Sequence, residues 1–361
     1  MIFNWQNENW NRLLTQRDRL PHALLLAGPQ GGGKAQFART LAARLLCEKA
    51  TGTELACGEC LACGWFAAGN HPDFRLVEPD SADSGEDDGV SESDTTVSAS
   101  AGKKKSDAIK IGQIRALSDF LAVGTHRQGA RIVIIQPAEA MNQATANSLL
   151  KVLEEPSANT LFLLVTHNGA RLLPTIRSRC QSIDFPKPNR DEALAWLQLN
   201  KPEKLAKNKQ LSDLLAHVGG MPLAAVRAAE SADKFEQFLA DLIAIKSVGP
   251  VATAAKWEPW LKDGKDGKSD IDKSTLTTWL QKWVYDLVAV HISGRVIYHE
   301  SRLPALRAMV TGASAASLID CYNELLRIKA VAQHPLNARL FLEDMLSRYA
   351  RAVAVKNQLK Q

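Results

Sequence analysis

Leu24-Leu25-Leu26-Ala27-Gly28-Pro29-Gln30-Gly31-Gly32-Gly33-Lys34-Ala35 decides the fold. An apolar run enters a glycine turn and leaves it as a helix. Gly28 to Gly33-Lys34 fits the phosphate loop G-x-x-x-x-G-K-[ST] up to its last letter. His22 to Leu26 reads as a buried parallel strand. Phe37, Leu41 and Leu45 recur every four residues and predict a helix from Lys34 to about Cys47. In that context backbone N–H groups of the turn and the helix start would face phosphate oxygens. Gly28, Gly31, Gly33 and Lys34 are therefore candidate nucleotide-binding residues. Ala35 lacks the hydroxyl that normally ligates Mg²⁺, which leaves the metal site degenerate.

Downstream, the same pattern repeats. Arg131-Ile132-Val133-Ile134-Ile135 is a short, β-branched, uninterrupted strand. Asn142 to Glu155 predicts a helix ended by Pro156, Leu161 to Thr166 a strand, Leu172 to Arg179 a helix, and Gln181 to Phe185 a last strand. Ile109, Ile111, Ile114, Leu117, Phe120 and Leu121 mark another amphipathic helix. Trp5, Trp10, Leu13, Leu14 and Leu20 give residues 1–20 a short amphipathic helix. Helices alternating with short strands argue for an α/β domain, a parallel sheet covered on both faces, over residues 1–186. Pro186 and Pro188 mark a boundary. Residues 187–231 predict a small helical domain with helices at Asp191 to Leu199, Leu205 to His217 and Leu223 to Glu230. Residues 232–361 predict an all-α domain, with helices at Thr275 to His291, Leu303 to Val310, Ala315 to Ala332 and Leu336 to Val353.

A nucleotide hydrolase of this design needs acidic residues at the end of its central strand. Here that strand runs into Gln136-Pro137-Ala138-Glu139. Gln136 is neutral and Pro137 has no base. Glu139 is expected to be a solvated charge at a helix start, pointing elsewhere. With Ala35, this makes two losses of the same chemistry, and no hydrolysis by the chain alone is expected.

Four of the six cysteines cluster: Cys47, Cys57, Cys60 and Cys63, with two consecutive C-x-x-C steps. Four thiolates on short loops suit a closed tetrahedral Zn²⁺ site, structural because no position remains for water. An iron–sulfur cluster uses related spacing. Residues 47–63 thus form a candidate zinc module. Cys180 and Cys321 are expected in the core. Glu78 to Asp107 is rich in Ser, Asp, Glu and Gly and predicts a disordered insertion.

The net charge of +5 carries no dominant basic block, so nucleic-acid contact is permitted and not required. No aromatic-rich basic stretch suits single-strand stacking. A zinc protein contacting nucleic acid directly is the non-enzymatic alternative. No apolar run approaches the roughly 18 residues that span a bilayer. Met1 to Asn7 has no signal-peptide pattern. These features point to the cytoplasm, with no membrane partner.

The whole chain resembles the clamp-loader branch of the AAA+ ATPases. The residues that carry this are Arg19-Leu20-Pro21-His22-Ala23, Gly28 to Lys34, the four cysteines, Ala146 to Pro156 with its Leu149-Leu150-Lys151-Val152-Leu153-Glu154-Glu155-Pro156 run, Thr166, Ser178-Arg179-Cys180, Gly219-Gly220-Met221-Pro222, and His334-Pro335-Leu336-Asn337. The resemblance implies a RecA-like AAA+ domain with a zinc module, then a helical lid (187–231) and an all-α collar (232–361) that holds an oligomer together. Thr166 joins the nucleotide-site residues on this ground. Pro222 stands near the family's usual sensor arginine, a third departure beside Ala35 and Gln136-Pro137. The resemblance then implies the family's non-hydrolysing subunit type in the loader of bacterial DNA polymerase III. Its partners would be gamma/tau-type motor subunits and a delta subunit in a hetero-pentamer, acting on a sliding clamp and primed DNA. Arg179, between Ser178 and Cys180, would be a trans arginine finger on a neighbour's ATP. The alternative within the family is an ATP-hydrolysing motor subunit kept active by Lys34.

Overall fold

The computed structural model describes residues 2–79, 108–122, 129–200, 209–261, 271–332 and 334–354. Residues 80–107, the body of the expected insertion, lie outside the described residues. The chain divides into two compact units, Met1–Pro188 and Asn189–Gln361.

The first unit contains, in order, α1 (Asn7–Thr15), β1 (Ala23–Ala27), α2 (Lys34–Leu46), α3 (Leu61–Ala67), β2 (Phe74–Val77), α4 (Ile111–Ala122), β3 (Arg131–Ile135), α5 (Gln143–Glu154), β4 (Thr160–Thr166), α6 (Pro174–Arg177) and β5 (Gln181–Asp184). The strands form one sheet in the order β2-β3-β4-β1-β5, and every pairing is parallel. Strands β3 and β4 are buried at every residue, which is why they read as unbroken apolar runs. The period of two then sorts the side chains. Leu24, Leu26, Ile132, Ile134, Leu163 and Val165 pack with Trp10 and Leu13 of α1 and Phe37 and Leu41 of α2. Ala23, Leu25, Val133, Ile135, Phe162 and Leu164 pack with Ile114 and Leu117 of α4, Leu149 and Leu153 of α5 and Ile176 of α6. The sheet is covered on both faces, as the alternation of elements requires.

The regular elements among the second unit's described residues are all helices, the α-helices being α7 (Arg190–Leu199), α8 (Lys209–His217), α9 (Pro222–Ala228), α10 (Ala232–Ile243), α11 (Ile245–Val248), α12 (Pro250–Trp257), α13 (Lys273–Ser293), α14 (Leu303–Val310), α15 (Ala315–Val331) and α16 (Ala338–Val353). One core gathers α7 to α9 around Leu197, Leu211, Leu214 and Ala225. A larger one gathers the later helices around Phe238, Trp257, Trp283, Leu342 and Tyr349. There the Trp283 indole N–H donates to the Tyr349 hydroxyl at 2.8 Å, so both large side chains are buried with their polar atoms satisfied.

Several expectations need correction. Strand β2 was not expected. It is a four-residue edge strand whose exposed Arg75 breaks the apolar signal and lies over the Phe120 ring at 4.4 Å. The helix expected at Leu172 to Arg179 is only one turn, α6, because Leu172 and Leu173 are extended and Pro174 starts the helix. Helices α10 to α12 carry much of the larger core; they lie within the region expected to be all-α, but their individual bounds are not legible because Gly249-Pro250 interrupts the pattern. Residues 205–208 of one expected helix lie outside the described residues. Glu78, assigned to the disordered insertion, belongs to the folded sheet domain: it pairs with Arg39 at 3.5 Å and accepts a hydrogen bond from the Gln136 amide.

Candidate functional site

The glycine loop leaves the carboxyl end of β1 and enters α2 at Lys34. Open parallel sheets bind ligands at this edge. Gly28 packs so closely that a Cβ there would lie 2.3 Å from the Phe185 carbonyl oxygen. Gly33 caps α2 in the left-handed region at φ +88°, and its missing Cβ leaves room for the Phe3 ring. The N-terminal segment lies along the loop: the Trp5 indole N–H and the Gln6 amide both donate to the Gly32 carbonyl, at 3.0 and 2.9 Å.

Lys34 is buried, and its ammonium donates to the carbonyls of Gly28 and Pro29 at 2.7 Å each. Burial lowers its pKa to about 8, against the charge of Glu139, which raises it. Thr166, the last residue of β4, stands beside Ala27 in register and is fully buried. Its hydroxyl accepts from the Asn168 N–H at 3.2 Å. The sheet thus brings Gly28, Gly31, Gly33, Lys34 and Thr166 to one edge.

Glu139 corrects the sequence expectation most directly. It does not stand free in solvent. Its Oε1 accepts the His167 backbone N–H at 2.8 Å, its Oε2 is buried without a partner, and its charge is felt at Lys34. The short 3-10 turn Ala138–Ala140 carries it back toward the loop. Spacing from the strand end suggested otherwise because it treats the chain after Ile135 as extended. Gln136, at the position where a hydrolase needs an acid, is buried and gives its amide to Glu78.

The four cysteines converge. Their sulfurs all lie within 4.8 Å of one another. The Cys47–Cys60 and Cys57–Cys63 separations are 4.0 and 3.9 Å. A tetrahedral Zn²⁺ with its usual Zn–S bonds would set sulfurs about 3.8 Å apart. The donor set therefore fits a closed metal site. Cys60 also caps α3 by accepting the Cys63 N–H. Burial disfavours the Cys47 thiolate, yet backbone N–H groups of Cys57, Lys49 and Ala50 outweigh it and hold the thiol at about 6. Burial and the neighbouring thiols push Cys63 up to about 12. A divalent cation would remove that mutual repulsion. Among the described residues this is the single group of three or more His, Cys, Asp or Glu side chains arranged to hold a metal. Cys180 is half-buried against the sheet core and Cys321 is buried in the helical unit.

Arg179 follows α6 in the connection between β4 and β5. Its Nη1 donates to the Thr175 carbonyl at 3.0 Å and its Nη2 meets Glu154 Oε1 at 2.6 Å. The neighbouring Ser178 hydroxyl donates to the same carbonyl. Sequence reading singled out Arg179 and not its carboxylate partner.

Among the described residues no helix is long and apolar enough to cross a membrane. The family described as "DNA polymerase III, delta subunit" matches residues 5–189. The DNA polymerase III subunit delta' of Pseudomonas aeruginosa is 40% identical over 226 residues, 63% of this chain and 61% of that protein. The subunit delta' of Bacillus subtilis is 36% identical over 170 residues, 47% and 44% of the two chains. That of Escherichia coli is 30% identical over 197 residues, 54% and 52%. The chain therefore spans less than two thirds of the length of the curated relatives it matches. Among solved structures, a gamma-subunit-related DNA polymerase III protein of Thermotoga maritima aligns over 97% of this chain and 100% of that one, at 18% identity and a TM-score of 0.42. With all five strands of the sheet inside the matched region, the chain belongs to the DNA polymerase III delta-subunit family, among relatives named delta-prime.

Proposed function

We propose that this chain is the non-hydrolysing delta-prime subunit of the DNA polymerase III clamp loader, working in the cytoplasm. Its sheet domain serves as a rigid wall, its collar region (232–361) holds it among gamma/tau-type motor subunits and a delta subunit, and Arg179 reaches the ATP of a neighbouring motor during loading of the sliding clamp onto primed DNA. The observation that carries this reading is the state of the loop. Lys34 spends its ammonium on the loop's own carbonyls, and Ala35 offers no hydroxyl for Mg²⁺. Arg179, by contrast, is about one-third exposed, and its guanidinium is free to face another protein on one side. A guanidinium on developing phosphoryl charge accelerates transfer by orders of magnitude. Reconstitution of the loader with Arg179→Ala tests it. DNA-dependent ATP turnover and clamp loading should collapse while assembly persists. Unchanged turnover would discard the trans-finger role.

Zn²⁺ fits the Cys47, Cys57, Cys60 and Cys63 thiolates as a structural ion, and a bound ion would cross-link the segment after α2 to the start of α3.

One observation favours a second reading, an ATP-hydrolysing motor subunit. Glu139 stands close enough to Lys34 to act on its charge and could supply the acid that Gln136 does not. Steady-state ATP hydrolysis by the purified chain, abolished by Lys34→Ala, would establish that alternative.

A further inference from the structure

The Leu149-Leu150-Lys151-Val152-Leu153-Glu154-Glu155-Pro156 run ends α5 with two adjacent carboxylates, and neither has a role in the nucleotide loop. The leucines Leu149 and Leu153 are core. The two glutamates face different surroundings. Glu154 meets the Arg179 guanidinium at 2.6 Å, whereas Glu155 has no partner among the described residues. The geometry points to Glu154 as the positioning residue that aims Arg179; this rests on the trans-finger reading proposed above.

A guanidinium carries five N–H donors in one plane. Here Nη1 gives one to the Thr175 carbonyl and Nη2 gives one to Glu154. These two anchors lie on separate elements, α6 and α5, and fix both the position and the plane of the fork. No other described residue takes its remaining hydrogens, so one edge stays available for an incoming anion. The backbone supports the arrangement: the Arg179 N–H donates to the Ile176 carbonyl at 3.1 Å, which closes the α6 turn beneath the side chain. The pair is solvent-accessible, with side-chain exposures of 35% and 49%. Such pairs add little to stability. What this one supplies is direction. A long side chain ordered in advance loses less rotamer entropy when it reaches a phosphate, and small misplacements of a catalytic group cost large factors in rate.

The test is a reconstituted loader assembled with Glu154→Gln, Glu155→Gln, Arg179→Ala, or Glu154→Gln with Arg179→Ala, assayed for DNA-dependent ATP turnover across ATP concentrations. Glu154→Gln should lower kcat on the order of tenfold and leave KM for ATP nearly unchanged, because the finger acts on charge developing in the transition state. Glu155→Gln removes the same charge from the same helix end and should match wild type. The double variant should be no worse than Arg179→Ala alone, since Glu154 works only through Arg179. Wild-type turnover with Glu154→Gln, faster turnover, or a loss that adds to that of Arg179→Ala would each overturn the positioning role while leaving the finger in place. Unchanged turnover with Arg179→Ala would overturn the finger and this inference together.

Discussion

Lys34 Nζ lies 2.7 Å from the carbonyl oxygen of Gly28, six residues behind it in the same loop. The loop closes on its own lysine, and the Pro29 carbonyl takes a second hydrogen at the same distance. A phosphate would have to displace both bonds before Lys34 could neutralise it, and Ala35 offers no compensating metal ligand. The isolated chain should therefore show no saturable heat of ATP binding in calorimetry at millimolar nucleotide. Tight binding would mean that the loop reopens at little cost.

The same lysine predicts a pH dependence. Its pKa is lowered from an ordinary 10.5 to about 8, chiefly by burial. Between these values the unfolded chain holds a proton that the folded chain has released, so stability gained from this group rises with pH from about 8 to 10.5 and is absent below. Lys282, half-buried and likewise lowered to about 8 by desolvation, contributes in the same window. Denaturation of wild type and Lys34→Met at a series of pH values isolates the loop's part. The difference should shift in favour of wild type across that range, and a pH-independent difference would contradict it.

The cysteine module should hold about one Zn²⁺ per chain. Cys60→Ser removes a buried sulfur that also caps α3 and should abolish the bound metal. Structural metal sites contribute folding energy outright, and each kcal/mol lost should lower Tm by about 2–4 °C for a unit of this size. Elemental analysis and thermal melts check both. An iron-containing, coloured preparation would replace the zinc assignment with a cluster.

Gly28→Ala should destabilise the sheet domain by about 2–4 kcal/mol, because the new methyl group meets the Phe185 carbonyl at 2.3 Å, where no flexible side chain can yield. Chemical denaturation measures it. A near-neutral result would mean that the loop and the segment after β5 separate readily.

In the helical unit, Asp286 is fully buried on α13 and accepts the backbone N–H groups of Ile297, Tyr298 and His299 and the His299 ring N–H. Asp286→Ala would strand all of these donors and should cost about 3 kcal/mol or more. Unfolding monitored by tryptophan fluorescence reports it directly, since Trp283 lies against the His299 ring.

Leu24 to Leu26 and Ile132 to Ile135 announce their strands because central parallel strands are buried on both faces and tolerate only apolar side chains. Edge strand β2 does not, because Arg75 satisfies the solvent side. The cysteine site is legible from spacing alone, since short C-x-x-C steps constrain where sulfurs can go. Glu139 and Glu78 are not legible in the sequence for the opposite reason. Each owes its environment to a turn or a neighbouring strand that local sequence does not specify.

By itself, the glycine loop determined an α/β domain built around a phosphate-loop scaffold lacking its Mg²⁺ hydroxyl. Covalent spacing and periodicity suffice for that. Only the tertiary structure decided how the loop is occupied. It turned Lys34 onto Gly28, laid Trp5 and Gln6 along Gly32, and brought Glu139 near the lysine. It also joined Glu154 to Arg179 across two helices 20 residues apart in the chain between their ends. Side-chain charges find partners through space, and sequence distance carries no record of which ones.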